Sequence, residues 1–403
     1  MSELSYLEKL LDGVEVKWLP LGHIAAIKTG QSVNKNMISK NPGVYPVINS
    51  GREPLGFINT WNTDNDPIGI TTRGAGVGSV IWQEGKYFRG NLNYSITIDK
   101  KSHINIRYMY HALLHMKNDI HELCTFDGIP ALNAGSLKKL LIPIPCPDNP
   151  EKSLAIQSEI VRILDKFTAL TAELTAELNM RKKQYNYYRD QLLSFEEGEV
   201  EWKTLGEIGT WHGGGTPSKS RSEFWEDGSI PWISPKDMGR PIVDTSEDYI
   251  TEEAVEQSST KLVPANSIAI VVRSSILDKV MPSALIPVPA TFNQDMKVVI
   301  PHCNISPNYI AHIMRSRGDD ILRAAKKSGG SVASIDSKKL FSFRIPVPHL
   351  NEQKRIVNIL DKFDTLANSI TEGLPREIEL RQKQYEYYRD LLFSFPKPEA
   401  TSN

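Results

Sequence analysis

The 403-residue sequence has few cysteines, no long apolar run and no excess of charge of either sign. Its three cysteines (Cys124, Cys146 and Cys303) are far apart and odd in number, which argues against a disulfide framework and a structural zinc site. No apolar stretch approaches the roughly 20 residues that a membrane helix needs. The first residues also lack the basic-then-apolar order of a signal peptide. The expected location is therefore the reducing cytoplasm.

The balanced charge bears on possible ligands. The chain carries 47 basic and 48 acidic residues, which gives a net charge of −1. Residues 20–141 contain 13 basic and 8 acidic residues, and residues 203–345 contain 17 and 16. Neither segment attracts phosphate strongly, so a DNA-binding role would require partners that supply much of the backbone affinity.

The sequence repeats itself with a period of about 200 residues, which indicates a tandem duplication. Residues 184–195 read QYNYYRDQLLSF and residues 384–395 read QYEYYRDLLFSF. Residues 160–167 match residues 356–363, and IPIP at 142–145 matches IPVP at 345–348. Each copy also begins with a Trp-Leu-Gly signature, formed by Trp18, Leu21 and Gly22 in the first and by Trp202, Leu205 and Gly206 in the second.

Between these signatures lie two bodies that keep a common framework. Arg73 and Asn93 precede Arg273 and Asn293 by 200 residues, and His111 precedes His312 by 201. The remaining body sequences differ almost completely, as expected of two domains with one fold and two ligands. Residues 68–72 and 267–272 predict strands, and residues 106–116 and 309–314 predict short helices.

The segments that connect the bodies predict long helices. Residues 153–195 contain no Gly or Pro and place apolar residues three and four positions apart. They predict a helix of roughly 40 residues, about 60 Å long, with the repeat TAELTAEL at residues 171–178. A second helix over residues 351–395 is interrupted by Gly373 and Pro375, where we expect a break. The predicted fold is α+β, with two similar α/β domains joined by two long antiparallel helices.

The repeat also predicts domain boundaries and the placement of the chain ends. We expect an N-terminal segment at 1–19, a first body at 20–145, a spacer helix at 146–197, a second body at 198–348 and a C-terminal helix with its tail at 349–403. Residues 6–11 resemble residues 188–193, which end the central helix. The N-terminus therefore supplies a fragment that the C-terminal helix lacks. The order of the repeated segments is that of a circular arrangement opened at one point, so we expect the two chain ends to meet.

No residue set for catalysis or for a cofactor is found in the sequence. The segment from Arg73 to Gly78 resembles a phosphate loop, but residues 79–82 continue as a strand, which favours a tight turn. His111 and His115 are spaced like metal ligands, yet no carboxylate or cysteine completes the set in the second copy. Motifs of amino-methyltransferases, Walker loops, nucleophile elbows and paired metal carboxylates are absent. We therefore expect a non-enzymatic chain without cofactors of its own.

The candidate ligand-binding residues lie in loops that combine hydroxyls, amides and cations. The segment Gly213–Arg221 suits phosphate contacts with some reach to bases, although a plain surface loop is the alternative. Residues 326–331 repeat this chemistry, and Asn, Gln and Arg in the first copy suit adenine and guanine edges. The candidates are Lys28, Gln31, Ser32, Asn49, Arg52, Arg73 and Asn93 in the first copy, and Gly215, Thr216, Ser218, Lys219, Arg221, Lys236, Arg273, Ser274, Asn293, Gln294, Lys327, Ser328 and Ser331 in the second.

Arg73 and Arg273 occupy the same framework position, which favours a shared role over base reading. Each could contact a phosphate near its half-site, or could form an internal salt bridge that holds its loop.

In combination, the Trp-Leu-Gly signatures, the Gly-Gly-Thr-Pro-Ser loop, the Ile-Pro-x-Pro motifs and the long helices resemble the specificity subunit of type I restriction-modification systems. The TAEL repeat and the Tyr-Tyr-Arg-Asp helices look like the IC group in particular. The resemblance implies that each body is a target recognition domain for one half of a split DNA site. It implies that the helices set the spacing and dock two methyltransferase subunits. S-adenosylmethionine, ATP and Mg would belong to those partners and to the restriction subunits.

Two rival functions come from other classes. A self-sufficient modification enzyme would need a catalytic domain that this length does not accommodate. A non-catalytic coiled-coil scaffold, whose bodies bind protein or sugar instead of DNA, is the alternative that the sequence leaves open.

Overall fold

The computed structural model describes residues 6–51, 53–327, 329, 331–369 and 371–396. The candidates Arg52 and Ser328 lie outside the described residues. The chain divides into two compact units, unit 1 (Met1–Thr175 with Glu377–Asn403) and unit 2 (Ala176–Arg376). The division falls within the long helices, whereas the sequence-based boundaries give those helices segments of their own. The reason is that each helix end packs into the core of the nearest body.

Unit 1 contains the first body, the N-terminal part of the central helix and the C-terminal part of the last helix. Its elements are α1 (Tyr6–Leu11), β1 (Val16–Pro20), α2 (Leu21–Ile24), β2 (Ala25–Thr29), α3 (Lys35–Lys40), β3 (Pro42–Ile48), β4 (Phe57–Ile58), β5 (Thr63–Asp64), β6 (Ile68–Thr71), β7 (Val80–Trp82), β8 (Lys86–Arg89), β9 (Asn93–Ile98), α4 (Ile106–His115), α5 (Lys117–Glu122), β10 (Cys124–Thr125), β11 (Ala131–Leu132), α6 (Ala134–Leu137), β12 (Leu141–Pro145) and the start of α7 (Pro150–Leu192).

Unit 2 repeats this plan with fewer strands. Its elements are the end of α7, β13 (Glu201–Thr204), β14 (Gly209–Gly213), β15 (Ile230–Ile233), β16 (Tyr249–Ile250), α8 (Glu252–Gln257), β17 (Ser267–Val271), β18 (Ser283–Ile286), β19 (Thr291–Phe292), β20 (Met296–Pro301), α9 (Pro307–Ser316), α10 (Gly318–Ala325), α11 (Ser337–Ser342), β21 (Arg344–Val347) and α12 (Leu350–Asn368). Helix α13 (Gly373–Leu392) then leads back into unit 1. Short 3₁₀ turns lie at Lys100–Ser102, Ser222–Phe224, Pro235–Asp237 and Ser275–Asp278.

The two bodies share one sheet topology. An antiparallel four-stranded sheet has the order β2-β9-β6-β7 in unit 1 and β14-β20-β17-β18 in unit 2. Each body also has a mixed sheet, with the order β4-β3-β8-β5 in unit 1 and β16-β15-β19 in unit 2. In these sheets β3 pairs parallel with β8, and β15 pairs parallel with β19. The predicted strands at 68–72 and 267–272 are the buried central strands β6 and β17. The duplication inferred from the sequence is therefore a duplication of fold.

The framework residues shared by the two copies make the same contacts. The Tyr108 hydroxyl donates to the Pro143 carbonyl (2.7 Å), and the Tyr309 hydroxyl donates to that of Pro346 (3.0 Å). Helices α4 and α9 begin at side-chain caps, where Asn105 and Ser306 accept from backbone N–H groups of the first turn. The two tyrosine hydroxyls tie each body to the strand that precedes its long helix.

The long helices agree with the sequence-based prediction. Helix α7 is continuous over 43 residues, and the second segment is broken between α12 and α13, where Gly373 has a φ of +79°. Phe167 stacks on Tyr388 in unit 1, and Tyr188 stacks on Phe363 in unit 2. Phe167 precedes Tyr188 in α7, whereas its partner Tyr388 follows Phe363, the partner of Tyr188. The helices therefore run antiparallel, as predicted. In the described chain, no helix is long and apolar enough to cross a membrane.

The described segments nearest the two chain ends meet in unit 1, as predicted. Leu7 near the N-terminus is buried in the same core as Phe393 and Phe395 near the C-terminus. The indole Nε1 of Trp18 donates a hydrogen bond to the Pro396 carbonyl at 2.7 Å. The fragment at residues 6–11 therefore completes the end of the last helix, as the repeat pattern indicated.

Candidate nucleic-acid interface

In unit 1, loops from five parts of the chain converge at one edge of the body. We call this edge 1 and define it by residues 29–32, 48–51, 72–79, 89–93 and the hairpin 124–132. The Asn49 side chain accepts from the Leu92 N–H (2.9 Å), and the Thr72 N–H donates to the Leu92 carbonyl (3.0 Å). The Leu132 N–H donates to the Thr72 carbonyl (2.8 Å), which joins the hairpin to the edge. Most first-copy candidates therefore come together, although Gln31 and Asn93 are 62 residues apart in sequence.

The candidates at and beside edge 1 differ in what they can reach. Lys28, Gln31, Ser32 and Arg73 are exposed. Asn49 and Asn93 are buried, and the Asn93 side-chain oxygen accepts from Arg89 Nη1 at 2.5 Å. A buried amide occupied in this way does not reach a base, so the structure gives Asn49 and Asn93 scaffolding contacts.

Arg89 is a buried residue of edge 1 whose guanidinium binds backbone carbonyls, and it was not among the candidates chosen from the sequence. It is only 3% exposed, donates to the carbonyls of Tyr94 (3.1 Å) and Asp66 (2.7 Å), and contacts the Tyr87 hydroxyl. Burial lowers the pKa of Arg89 and raises the pKa of Tyr87 to about 12. The comparison of the two copies could not have identified Arg89, because the residue 200 positions later is Pro289 and the arginine is not repeated.

Unit 2 forms a corresponding edge from corresponding loops. We call it edge 2 and define it by residues 213–219, 233–236, 272–278 and 292–296 and by the described residues of the hairpin 326–335 (326, 327, 329 and 331–335). The Gly215 N–H donates to the Phe292 carbonyl (2.8 Å), and the Ser274 N–H donates to the Ala333 carbonyl (3.0 Å). Gly214 permits the close approach, because a Cβ there would lie 1.8 Å from the Asn293 carbonyl oxygen. The Gly-Gly-Thr-Pro-Ser loop is thus fixed against the end of the parallel strand pair.

The second-copy candidates differ in exposure and in their contacts within the body. Ser218, Lys219, Gln294, Lys327 and Ser331 are exposed. Thr216, half-buried, donates its hydroxyl to Gln294, while Gly215 is buried and its carbonyl accepts from Trp232 Nε1 at 3.0 Å. Ser274 caps the following 3₁₀ turn, and the Asn293 side chain accepts from the Asp295 N–H at 2.7 Å.

Two cationic candidates are already engaged within the body. Arg221 pairs with Glu223 (2.7 Å) and Glu253 (3.5 Å) and lies over the Phe224 ring. Lys236 pairs with Glu247 (2.8 Å) and Asp248 (3.0 Å), and hydrogen bonds to these two carboxylates raise its pKa. A phosphate would have to compete with these partners, so the structure favours structural roles for Arg221 and Lys236. Sequence alone did not reveal these pairings, because most of the partners are distant in sequence and their loops contain several other carboxylates.

Arg73 and Arg273 occupy the same place but have different partners. Each forms an isolated antiparallel bridge with its hairpin, to Ala131 in unit 1 and Ser334 in unit 2. Arg273 Nε donates to Asp295 Oδ1 at 2.6 Å, which is the salt bridge considered from the sequence. Among the residues that the structure describes, Arg73 has no ion-pair partner and its side chain is exposed. The phosphate-contact interpretation is thus better suited to Arg73.

We predict that Arg73→Ala weakens binding to every DNA sequence and lowers the salt slope of the binding constant by about one unit. Arg273→Ala should lower the slope less, because Asp295 already offsets its charge. Asp295→Asn is the matched control and should strengthen non-specific binding by freeing Arg273. Salt titrations with melting curves measure all three. An Arg73→Ala variant with unchanged affinity but altered base preference would contradict the prediction.

The histidines that resemble metal ligands have structural partners. His111 is buried, with Nε2 at 2.9 Å from Asp165 and Nδ1 at 2.9 Å from the Tyr385 hydroxyl. Burial lowers the pKa of His111, so the neutral ring donates through Nε2 and accepts through Nδ1. His312 repeats the contact with Asp361 (2.8 Å), and His115 contacts Asp390 (2.9 Å). Within the described ranges, no group of His, Cys, Asp and Glu could hold a metal ion.

Two copies of one body, each presenting an edge of different composition, define a recognition protein with two ligand-binding faces. The comparisons with known proteins agree with this class. The family described as "Type I restriction modification DNA specificity domain" matches residues 13–181 and 197–380, one match per copy. The chain belongs to this family.

Its relatives and structural neighbours are of the same kind. The Type I restriction enzyme EcoR124I/EcoR124II specificity subunit of Escherichia coli is 65% identical, over 100% of both chains. The EcoprrI specificity subunit of Escherichia coli is 35% identical, over 92% of this chain and 93% of its own. The S subunit of the type I restriction-modification system of M. genitalium superposes with a TM-score of 0.59 at 18% identity, over 98% of this chain and 99% of that chain. A chain of another solved type I system gives a TM-score of 0.57 at 14% identity, with the same coverage.

Proposed function

We propose that this chain is the DNA specificity subunit of a type I restriction-modification complex of the IC group, with one half of a bipartite site read at each edge. The observation that carries the proposal is the duplication of the body. The two copies share the same framework contacts, but the residues at their edges differ. Edge 1 offers Gln31, Ser32 and Arg73, and edge 2 offers Ser218, Lys219 and Gln294. Equal frameworks with different edges suit two half-sites of different sequence on one duplex.

The helices in this proposal set the distance between half-sites and dock two methyltransferase subunits. A tyrosine pair repeated on α7 and α13 supports docking of two identical partners. Tyr187 and Tyr188 are in edge-to-face contact at 5.4 Å, as are Tyr387 and Tyr388. Tyr187 is 62% exposed and Tyr387 is 65% exposed. Exposed aromatic residues of this kind are frequent anchors of protein interfaces.

The chemistry of modification and restriction belongs, in this proposal, to the partners. S-adenosylmethionine would bind the methyltransferase subunits, and ATP and Mg would serve the restriction subunits. This chain contributes recognition and spacing, and it acts as a non-catalytic subunit.

Coexpression with the methyltransferase subunits tests the proposed function. The complex should methylate a gapped sequence in host DNA, detected by methylome sequencing, whereas the purified chain alone should show no S-adenosylmethionine turnover, nuclease or ATPase activity. Turnover by the isolated chain, or a complex that methylates without sequence preference, would overturn the proposal. Binding of a sugar or protein by the bodies, with no DNA preference, would favour the scaffold alternative.

The tyrosine pairs allow a separate test of docking. Tyr187→Ala and Tyr387→Ala should each weaken one of the two partner sites by roughly 30-fold, the effect of losing an interface anchor. The double variant should bind neither partner at concentrations that saturate the native chain. Native mass spectrometry counts the bound subunits, and Met180→Ala, which removes another exposed apolar group from α7, is the control. Full stoichiometry in the double variant would place the docking surface elsewhere.

A further inference from the structure

The hairpin of edge 1 ends in an apolar tip. Strands β10 and β11 are joined by residues 126–130, which read FDGIP. Phe126 is 51% exposed and Ile129 is 69% exposed. Large apolar side chains at a loop tip lose favourable burial, and their presence therefore suggests a contact made on binding.

The tip is held in place beside the proposed phosphate contact. The Gly74 N–H donates to the Pro130 carbonyl at 2.9 Å, directly after Arg73. The Thr125 hydroxyl donates to the Ala131 carbonyl (3.3 Å), and the Phe126 ring lies 4.8 Å from that of His121. Gly128 has a φ of +95°, which lets the chain turn within five residues. The tip is thus held at edge 1 by backbone and side-chain contacts.

The charge of the tip indicates which part of DNA it meets. Residues 126–130 contain no cation, and Asp127 carries a carboxylate that phosphates would repel. Base edges suit this set better, because apolar side chains contact the thymine methyl group and a carboxylate accepts from the cytosine amino group. Apolar side chains can also wedge between base steps.

The described residues of the equivalent hairpin of unit 2 have a different composition. It carries the exposed Lys327 and Ser331 in addition to Val332. The hairpin is joined to its body in the same way, with the Ser274 N–H donating to the Ala333 carbonyl at 3.0 Å. The hairpin of unit 1 thus carries an apolar, anionic tip, whereas the matching hairpin of unit 2 has the cation Lys327 in its stem, where the Lys327 N–H donates to the Ser334 carbonyl at 2.9 Å.

We propose that Phe126 and Ile129 determine specificity by packing against bases of the half-site read by unit 1. This inference rests on the proposed function. It adds a specificity element that lies outside the candidate residues chosen from the sequence.

The test uses the full chain with its methyltransferase subunits and a duplex that carries the site found by methylome sequencing. Phe126→Ala with Ile129→Ala should weaken binding to that duplex by about 10- to 100-fold, the discrimination of one to two base contacts. Binding to unrelated DNA should change less than twofold, and the salt slope should stay constant, because no phosphate contact is lost. Val44→Ala, which removes an exposed valine four residues before the end of β3 that belongs to edge 1, is the control and should have no effect.

Two further binding experiments distinguish contact with a thymine methyl group from insertion of the tip between stacked bases. Replacing thymines of the first half-site by uracil should weaken binding of the native complex and leave the variant unaffected, if the methyl group is the contact. A 2-aminopurine in the same half-site should brighten on binding of the native complex alone, if the tip unstacks a step. A response in neither arm would overturn the inference.

Failure of the inference is separable from failure of the proposed function. Native complex that binds all duplexes equally would contradict the function, whereas a discriminating native complex with an equally discriminating variant contradicts the tip alone. Loss of methyltransferase subunits from the variant would show that the tip docks protein, which also overturns it. Ile129→Ala by itself, at a side chain 69% exposed, provides a variant whose folding should be unaffected.

Discussion

Exchange of residues 20–141 for the equivalent body of a related subunit should change one half of the methylated sequence completely and leave the other half unchanged. All loops of edge 1 lie within residues 29–132, so the exchange replaces the whole edge. Pro20 and Leu141 are cross-strand partners in the β1-β12 pair, and both junctions therefore fall at one place in the sheet. Methylome sequencing of cells that carry the chimera measures the result.

The donor body has to keep the contacts that attach it to α7 and to the end of β12. Arg107 and His111 both hold Asp165, and the Tyr108 hydroxyl donates to Pro143. Although burial alone would raise the pKa of Asp165, the hydrogen bonds from Arg107 and His111 lower it, so the carboxylate remains charged. The reciprocal exchange of residues 203–345 is the control and should change the opposite half. Simultaneous change of both halves by either exchange would refute independent recognition.

Deletion of residues 171–174, one TAEL unit, should change the gap between the half-sites and leave their bases unchanged. Four residues fewer shorten α7 by about 6 Å and rotate the part of the helix beyond the deletion by roughly 40°. At roughly 3.4 Å per base pair, the preferred gap should change by one to two base pairs. Side chains between Leu164 and Tyr185 are all exposed or half-buried, so the deletion removes no buried core residue.

Thr171→Ala is the length-matched control for the deletion. It removes the hydroxyl that donates to the Phe167 carbonyl (2.9 Å) but keeps the full length of α7. The gap in its methylome should equal that of the native chain. Altered bases at an unaltered gap in the deletion variant would show that α7 does not act as the ruler.

Much of the architecture could be predicted because it depends on patterns in the sequence, such as apolar spacing, breaker residues and repeats. The helix over residues 153–195 followed from apolar spacing and the absence of Gly and Pro, and the structure has α7 at Pro150–Leu192. Gly373 and Pro375 predicted the break between α12 and α13. The repeat of residues 188–193 at 6–11 predicted that the ends meet, and Leu7 shares a core with Phe393.

The ligand-binding residues were less predictable, and their roles stay predictions. Residue type marked Arg221, Lys236 and Asn93 as candidates, yet the first two are paired with carboxylates and the third is buried against Arg89. Phe126 and Ile129 gave no signal, since apolar residues in a sequence are first expected in a core.

The sequence by itself determined the duplication, the two long helices and the family, because each depends on residue order along the chain. Only the tertiary structure decided which polar groups remain free at the two edges. Arg73 and Arg273 have the same place in the repeat, but Asp295, 22 residues further along the chain, pairs with only the second. Such pairing is set by where loops meet in space, and loops were the segments in which the two copies kept almost no common sequence.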